Sequence, residues 1–283
     1  MLGVAYASFF EARYHDTIEA ARTALMSYSE IGYSLGGPIG TLTAALLHGP
    51  TPVRDAVREC DELLARVDDR ATGASILSTL GVLRALEGSF DEADELASRA
   101  QKTWAELGLR ISHLTTGGLR EMRNATLSGR HEEAESIGRE YLRLHREAGS
   151  TVWIATLAAN LAASLTTLGR IGEAQTLVDE AAAATDPHDV VINSLVHATA
   201  ARIHARQGDI ERGRMRARAG IDALDGTDGP EDHATAWAAV ADVERRAGDS
   251  AAAANADEHM ATYCSAKGAP ALLAALRRDL AAS

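Results

Sequence analysis

Gly88-Ser89-Phe90-Asp91-Glu92-Ala93 decides the fold, because it returns as Gly129-Arg130-His131-Glu132-Glu133-Ala134 and again as Gly169-Arg170-Ile171-Gly172-Glu173-Ala174. Weaker copies begin at Gly208 and Gly248. The glycines are separated by 41, 40, 39 and 40 residues (129−88, 169−129, 208−169 and 248−208), a regularity that marks repeats stacked in a line. Counting backwards, Gly49 stands 39 residues before Gly88, and Ala12 stands 37 before Gly49. Seven units of about forty residues then account for the chain.

Each unit predicts two helices about a tight turn. Before the turn at Gly169, Trp153, Leu157, Leu161, Leu165 and Leu168 recur every three or four residues, the spacing of one helical face. The turn glycine ends that helix in the left-handed conformation, which a Cβ resists. Ser89, Asp209 and Asp249 stand where a side chain can cap the next helix, and Thr51 is expected to do so with Pro52 at the first helical position. Ala93, Ala134 and Ala174 fall where a larger side chain would push the paired helices apart. The hairpins are expected at about 1–32, 37–67, 71–108, 111–149, 150–185, 188–225 and 230–267, with a capping helix at 269–282 carrying Leu272, Leu273, Leu276 and Leu280. No such hairpin covers its own apolar face, so neighbours must stack. The expected fold is all-α: a single domain forming a right-handed superhelical solenoid of about seven hairpins.

Composition agrees with helix. Of the 283 residues 46 % are hydrophobic and 24 % charged, while aromatics are only 4 %, so the chain fits neither a disordered polymer nor a β-sandwich. Acidic residues number 40 against 28 basic ones, a formal charge of −12 that repels phosphate backbones and argues against nucleic-acid binding. The uncharged run from Ser150 to Gly169 contains seven Ser, Thr or Asn residues and predicts a buried helix, not a membrane span. Met1 to Phe10 has no basic residue ahead of its apolar stretch, so no signal peptide is expected. Cys60 and Cys264 are too far apart for a local metal or redox motif, and a cytoplasmic setting fits them.

At Leu80-Gly81, Gly88-x-Phe90-x-Glu92-Ala93, Ala97 and Ala100 the chain resembles the tetratricopeptide repeat, although its unit is longer than the usual length of about 34 residues and reaches the HEAT range. From Thr51 to Gly268 it is similar to the C-terminal repeat region of large actinobacterial signalling proteins, which carry a nucleotide cyclase or DNA-binding domain and an AAA-type ATPase ahead of such repeats. The residues concerned are Thr51-Pro52-Val53-Arg54-Asp55-Ala56 with Cys60, Leu86-Glu87-Gly88-Ser89-Phe90-Asp91-Glu92-Ala93 with Glu106-Leu107-Gly108, and Asp186-Pro187-His188-Asp189-Val190-Val191. This likeness implies a fold and no activity, and makes the chain either a fragment of such a protein or a stand-alone relative.

In tetratricopeptide-like proteins the first helix of each hairpin lines the concave surface. Positions thirteen, ten, six and three before each turn glycine select one helical face. That face is rich in small and hydroxyl residues, with Arg123, Arg202 and Arg245 as its cations and Arg120 and Asn160 one position beside it. The set suggests a groove for a peptide or acidic protein segment, with arginines pairing carboxylates and Asn160 bonding backbone amides. Against it stands solvation, or pairing with nearby acids such as Glu121. Tyr6, Phe9, Phe10 and Tyr14 crowd the N-terminus, either as a docking face for an upstream domain or second subunit or as the core of the first hairpin. His131-Glu132-Glu133-Ala134-Glu135 lacks the second histidine of a zinc-protease helix, Asp186-Pro187-His188-Asp189 suits a loop and N-cap, and His197 and His204 stand too far apart to share an ion. No cofactor or metal is expected, and the function suggested is a non-enzymatic interaction or regulatory scaffold. The alternatives are a small-molecule sensor attached to a signalling ATPase, cyclase or transcription regulator, and an enzyme with an unrecognised groove site.

Overall fold

A computed structural model describes residues 1–150 and 153–281, and every element in them is helical. Thr151 and Val152, at the start of the expected fifth hairpin, and Ala282, at the end of the expected last helix, lie outside the described residues. The elements are α1 (Leu2–Phe10), α2 (Tyr14–Glu30), α3 (Gly36–His48), α4 (Val53–Arg66), α5 (Arg70–Glu87), α6 (Phe90–Glu106) and the short α7 (Arg110–Ser112). A π-helical turn (His113–Gly117) leads from α7 into α8 (Gly118–Ser128). There follow α9 (His131–Glu147), α10 (Ile154–Thr167), α11 (Ile171–Ala184), α12 (Val190–Arg206), α13 (Ile210–Asp222), α14 (Pro230–Ala247), α15 (Ser250–Lys267) and α16 (Pro270–Ala281). Helices pack in antiparallel pairs, α5 with α6, α10 with α11 and α12 with α13 among them.

The recurrent glycine does what its spacing predicts. Gly88, Gly129, Gly169, Gly208 and Gly248 all have φ between +74° and +96°, the left-handed region that ends one helix and reverses the chain. Ala12, counted as the first of the series, adopts φ +52° and is the one non-glycine with positive φ among the described residues. Gly49 departs from the series. Its backbone is extended (φ −84°, ψ −173°), so it is not a left-handed turn residue. Glycine is needed there for space: a Cβ would stand 2.5 Å from Tyr14 Cβ and 2.7 Å from the Ala45 carbonyl oxygen. Neither obstacle is the end of a flexible side chain, so Gly49→Ala should cost about 3 kcal/mol of stability, read as a lower urea midpoint. A loss below about 1 kcal/mol would show that α2 and α3 separate easily.

Capping is mixed. The carboxylates of Asp209 and Asp249 accept from the backbone N–H of Arg212 and Ala252, as expected. Ser89 makes no side-chain cap, and Pro52 is the N-cap of α4, one place earlier than its expected position, with Thr51 outside the helix. Small residues set the distance between helices. Ala93, Ala134 and Ala174 are wholly buried, and at Gly213 a Cβ would come within 3.3 Å of the Ala201 carbonyl.

The chain divides into two compact units. The first comprises Met1–Asn124 with Gly226–Pro230 and Ala266–Ala269; the second comprises Ala125–Asp225, Glu231–Ser265 and Pro270–Ser283. In the first, Trp104 is buried against Ala74 and Ala100, so that one large ring fills the space two alanines leave. Two short segments distant in sequence complete this unit. Asp228 accepts from the N–H groups of Tyr14 and His15 (2.6 and 2.8 Å) and so caps α2, whose own N-cap residue, Arg13, makes no side-chain cap. In the second unit, Ala198, Ala201, Ala205, Ala217, Ala239 and Val243 form a core across α12, α13 and α14. Exposed ion pairs Arg139–Glu173 (2.7 Å) and Arg146–Glu180 (2.6 Å) link α9 to α11, screened by solvent.

Candidate ligand groove

The expected inner face is more closed than its polarity suggests. Ser78, Val82, Ala85, Ala159 and Ala205 are all buried, because these helices are covered on more than one side. On this face the second unit carries a cluster of charges. Arg202 and Asp242 each lie six residues before a turn glycine, so consecutive hairpins place them side by side, with Arg202 Nε donating to Asp242 Oδ2 at 3.0 Å. Arg246, one turn beyond Asp242, donates to its other oxygen at 3.2 Å. Arg206 completes the group at 3.9 Å from Asp242 and donates to the Thr166 carbonyl. Asp242 is 1 % exposed, so three guanidiniums converge on a single buried carboxylate. Burial and the adjacent Arg202 push Arg206 down to about 10. Nη2 of Arg202 is buried and finds no acceptor among the described residues.

The other expected site residues divide. Asn160 donates to the Thr156 carbonyl of its own helix at 2.8 Å, which spends one of its two amide hydrogens locally. Arg245 pairs with Asp257 across α14 and α15. In the first unit, Arg120 donates to the Ser75 carbonyl at 3.3 Å, and burial followed by the Arg123 charge pushes it down to about 10. Arg123 bears also on His48 and Lys267. Burial, then Arg123, Arg120 and Lys267, hold His48 well below the usual imidazole range. Lys267, at the end of α15, is 0 % exposed and donates to the carbonyls of Leu46, Gly49 and Thr51 at 2.9, 2.7 and 3.0 Å.

The N-terminal rings are not one surface. Phe10 is 72 % exposed and Tyr6 also faces solvent, whereas Tyr14 is 3 % exposed and stacks on His48 with centroids 5.9 Å apart. Phe9, half-buried, meets Tyr14 edge-on at 5.4 Å. Tyr14 therefore belongs to the packing of α2 on α3, and only Tyr6 and Phe10 of the four present themselves at the surface.

Asp186 accepts from the His188 N–H, and Asp189 caps α12 through the Ile192 N–H, as a loop and N-cap require. His197 lies 3.2 Å from Arg216, and burial lowers its pKa. Burial pushes the thiols of Cys60 and Cys264 up to about 12, which suits packing and not nucleophilic attack at neutral pH. Among the described residues no helix is long and apolar enough to cross a membrane.

Sequence reasoning missed Lys267, Arg206, Arg246 and Asp279. Asp242 carried a signal, since opposite charges at the same place of neighbouring repeats are placed to meet. Lys267 and Asp279 carried none, because their partners are 216 and 112 or more residues away.

No protein-family model and no curated protein sequence matches the chain. Solved structures do. The structure described as the APC/C hetero-tetramer Cut9-Hcn1 superposes with a TM-score of 0.67 at 16 % identity, over 99 % of this chain and 52 % of that one. The chain thus spans about half the length of that relative. A Rap protein complexed with Competence and Sporulation Factor superposes with a TM-score of 0.62 at 15 % identity, over 94 % of this chain and 80 % of that one. With helices in antiparallel pairs and left-handed glycines at the five bends from Gly88 to Gly248, the chain has the fold of a tetratricopeptide-like helical repeat protein.

Proposed function

We propose that this chain is a non-enzymatic interaction scaffold that takes an acidic segment of a partner protein on the arginine-bearing face of its second unit. One observation carries this reading: Arg202 spends Nε on Asp242 and keeps Nη2 buried without an acceptor. A buried guanidinium donor left unmade is costly, and a carboxylate from a partner supplies what it lacks. Three arginines facing one aspartate leave this face with surplus positive charge in a chain whose net charge is −12. Cut9 and the Rap protein, which share the fold, are described in complexes, the first with Hcn1 and the second with Competence and Sporulation Factor.

Synthetic peptides offered to the full chain should be retained according to their acidic content. Arg202→Gln leaves Asp242 with Arg206 and Arg246, so the chain should stay folded at a lowered melting temperature, and acidic-peptide binding should weaken about tenfold, the loss of one charge-assisted hydrogen bond to the partner. Equal retention of neutral and acidic peptides would remove the reading.

A further inference from the structure

The last helix of the chain is placed on the surface that a partner would need. In the second unit, α16 buries Ala271, Leu272, Ala275, Asp279 and Leu280, one side of a helix. Its C-terminal turn reaches the end of α8, the start of α9 and the end of α10. Arg278 Nη2 donates to the carbonyls of Thr126 and Leu127 at 3.3 and 3.1 Å, supplying a cation to the C-terminus of α8. It does so across Gly129, where a Cβ would stand 2.9 Å from Arg278 Cζ. Asp279 is buried, with Oδ1 at 3.2 Å from His131 Nε2 and Oδ2 accepting from Thr167 Oγ1 at 3.3 Å. Thr167 adjoins Thr166, whose carbonyl accepts from Arg206, so Asp279 and the arginine group meet α10 at neighbouring residues.

Charges on opposite sides of this contact match. Arg202, Arg206 and Arg246 bring three positive charges against the one negative charge of Asp242, and Asp279 brings a second negative charge from α16. Thr126 and Thr166 are positions of the expected inner face; α16 touches the first, and Arg206 holds the second. A helix laid on a groove through residues at i, i+3 and i+7 is a recurrent mode of peptide capture, and Leu272, Ala275 and Asp279 have that spacing.

We propose that α16 is the resident occupant of this docking surface, and that the partner is a helical segment which repeats its pattern, an apolar residue, a small residue and an aspartate at the spacing of Leu272, Ala275 and Asp279. This rests on the groove reading above and adds the shape of its ligand. Held on its own chain, α16 competes at an effective concentration of about millimolar, so a partner meets an occupied surface. Binding then requires that α16 leave.

The probe is a fluorescein-labelled peptide with the sequence of residues 270–281, beside a version with asparagine in place of the aspartate. Both are titrated into full-length chains: the wild type, Arg278→Ala/Asp279→Asn, and Ala275→Glu, which loosens α16 by placing a charge on its buried side. Hydrogen exchange is followed in α16 and, as the control for folding, in α12 to α14. Slow exchange of α16 in the wild type, fast exchange in both variants, and probe binding at least tenfold tighter to the variants are expected, with the asparagine version weaker. Equal probe binding to all three chains would overturn the gating by α16 and leave the groove reading standing. Fast exchange of α16 in the wild type would likewise overturn it. Release of α16 with no binding of either peptide would bring down both.

Discussion

Replacing Asp242 by alanine should lower the unfolding free energy by about 3–5 kcal/mol, the usual cost of removing one partner from a buried ionic cluster. The side chain is almost wholly buried and accepts from Arg202 and Arg246 at 3.0 and 3.2 Å, with Arg206 at 3.9 Å. Its loss leaves three guanidiniums facing one another without an anion, and they are held there by the stacking of consecutive hairpins. Urea unfolding measures the effect, and hydrogen exchange should locate it in α12 and α14. A loss under about 1 kcal/mol would mean that these arginines turn outward and solvate, and that the surplus charge invoked for the groove is not held in place.

The second large effect lies in the other unit. Lys267→Met should cost about 3 kcal/mol, because the carbonyls of Leu46, Gly49 and Thr51 lose their donor in a place water does not reach. The end of α3 has unpaired carbonyls by construction, and the lysine satisfies them from a helix 216 or more residues away. Its pH dependence has a definite sign. Burial and the Arg123 charge push Lys267 down to about 7 from an ordinary 10.5. Between those values the unfolded chain binds the proton and the folded chain releases it, so the unfolding free energy rises with pH across that window. The difference in urea stability between wild type and Lys267→Met should therefore widen from about pH 7 towards pH 10. A difference that is constant or shrinks would show that the three carbonyls keep the ammonium charged.

The helices were legible from spacing. A glycine every forty residues, an apolar stripe before it and a small residue five places after it are local requirements of a helical hairpin, and Gly88 and Ala93 meet them in the structure as written. The charged site was half legible. Arg202 and Asp242 occupy equivalent places in consecutive repeats, so the register that predicts the fold also brings them together. Arg206 and Arg246 stand two residues before their turn glycines, outside the positions that select the face, and were not legible from it. Ser89 and Thr51 show where local rules stop. Both have the right residue type for an N-cap, but Ser89 makes no cap bond, and Thr51 lies outside α4 and offers its carbonyl to Lys267. Gly49 likewise matched the repeat by count while serving another need, clearance for Tyr14.

The amino-acid sequence by itself determined that this is a stack of helical hairpins, since periodicity, turn glycines and alanine contacts act over a few residues or between adjacent repeats. Only the tertiary structure decided that Asp228 caps α2, that Lys267 closes the end of α3, and that the last helix lies with Asp279 against His131 and Thr167. These contacts join groups more than a hundred residues apart, where no local pattern constrains the pairing. They form because buried donors and acceptors must find partners once the hairpins have stacked.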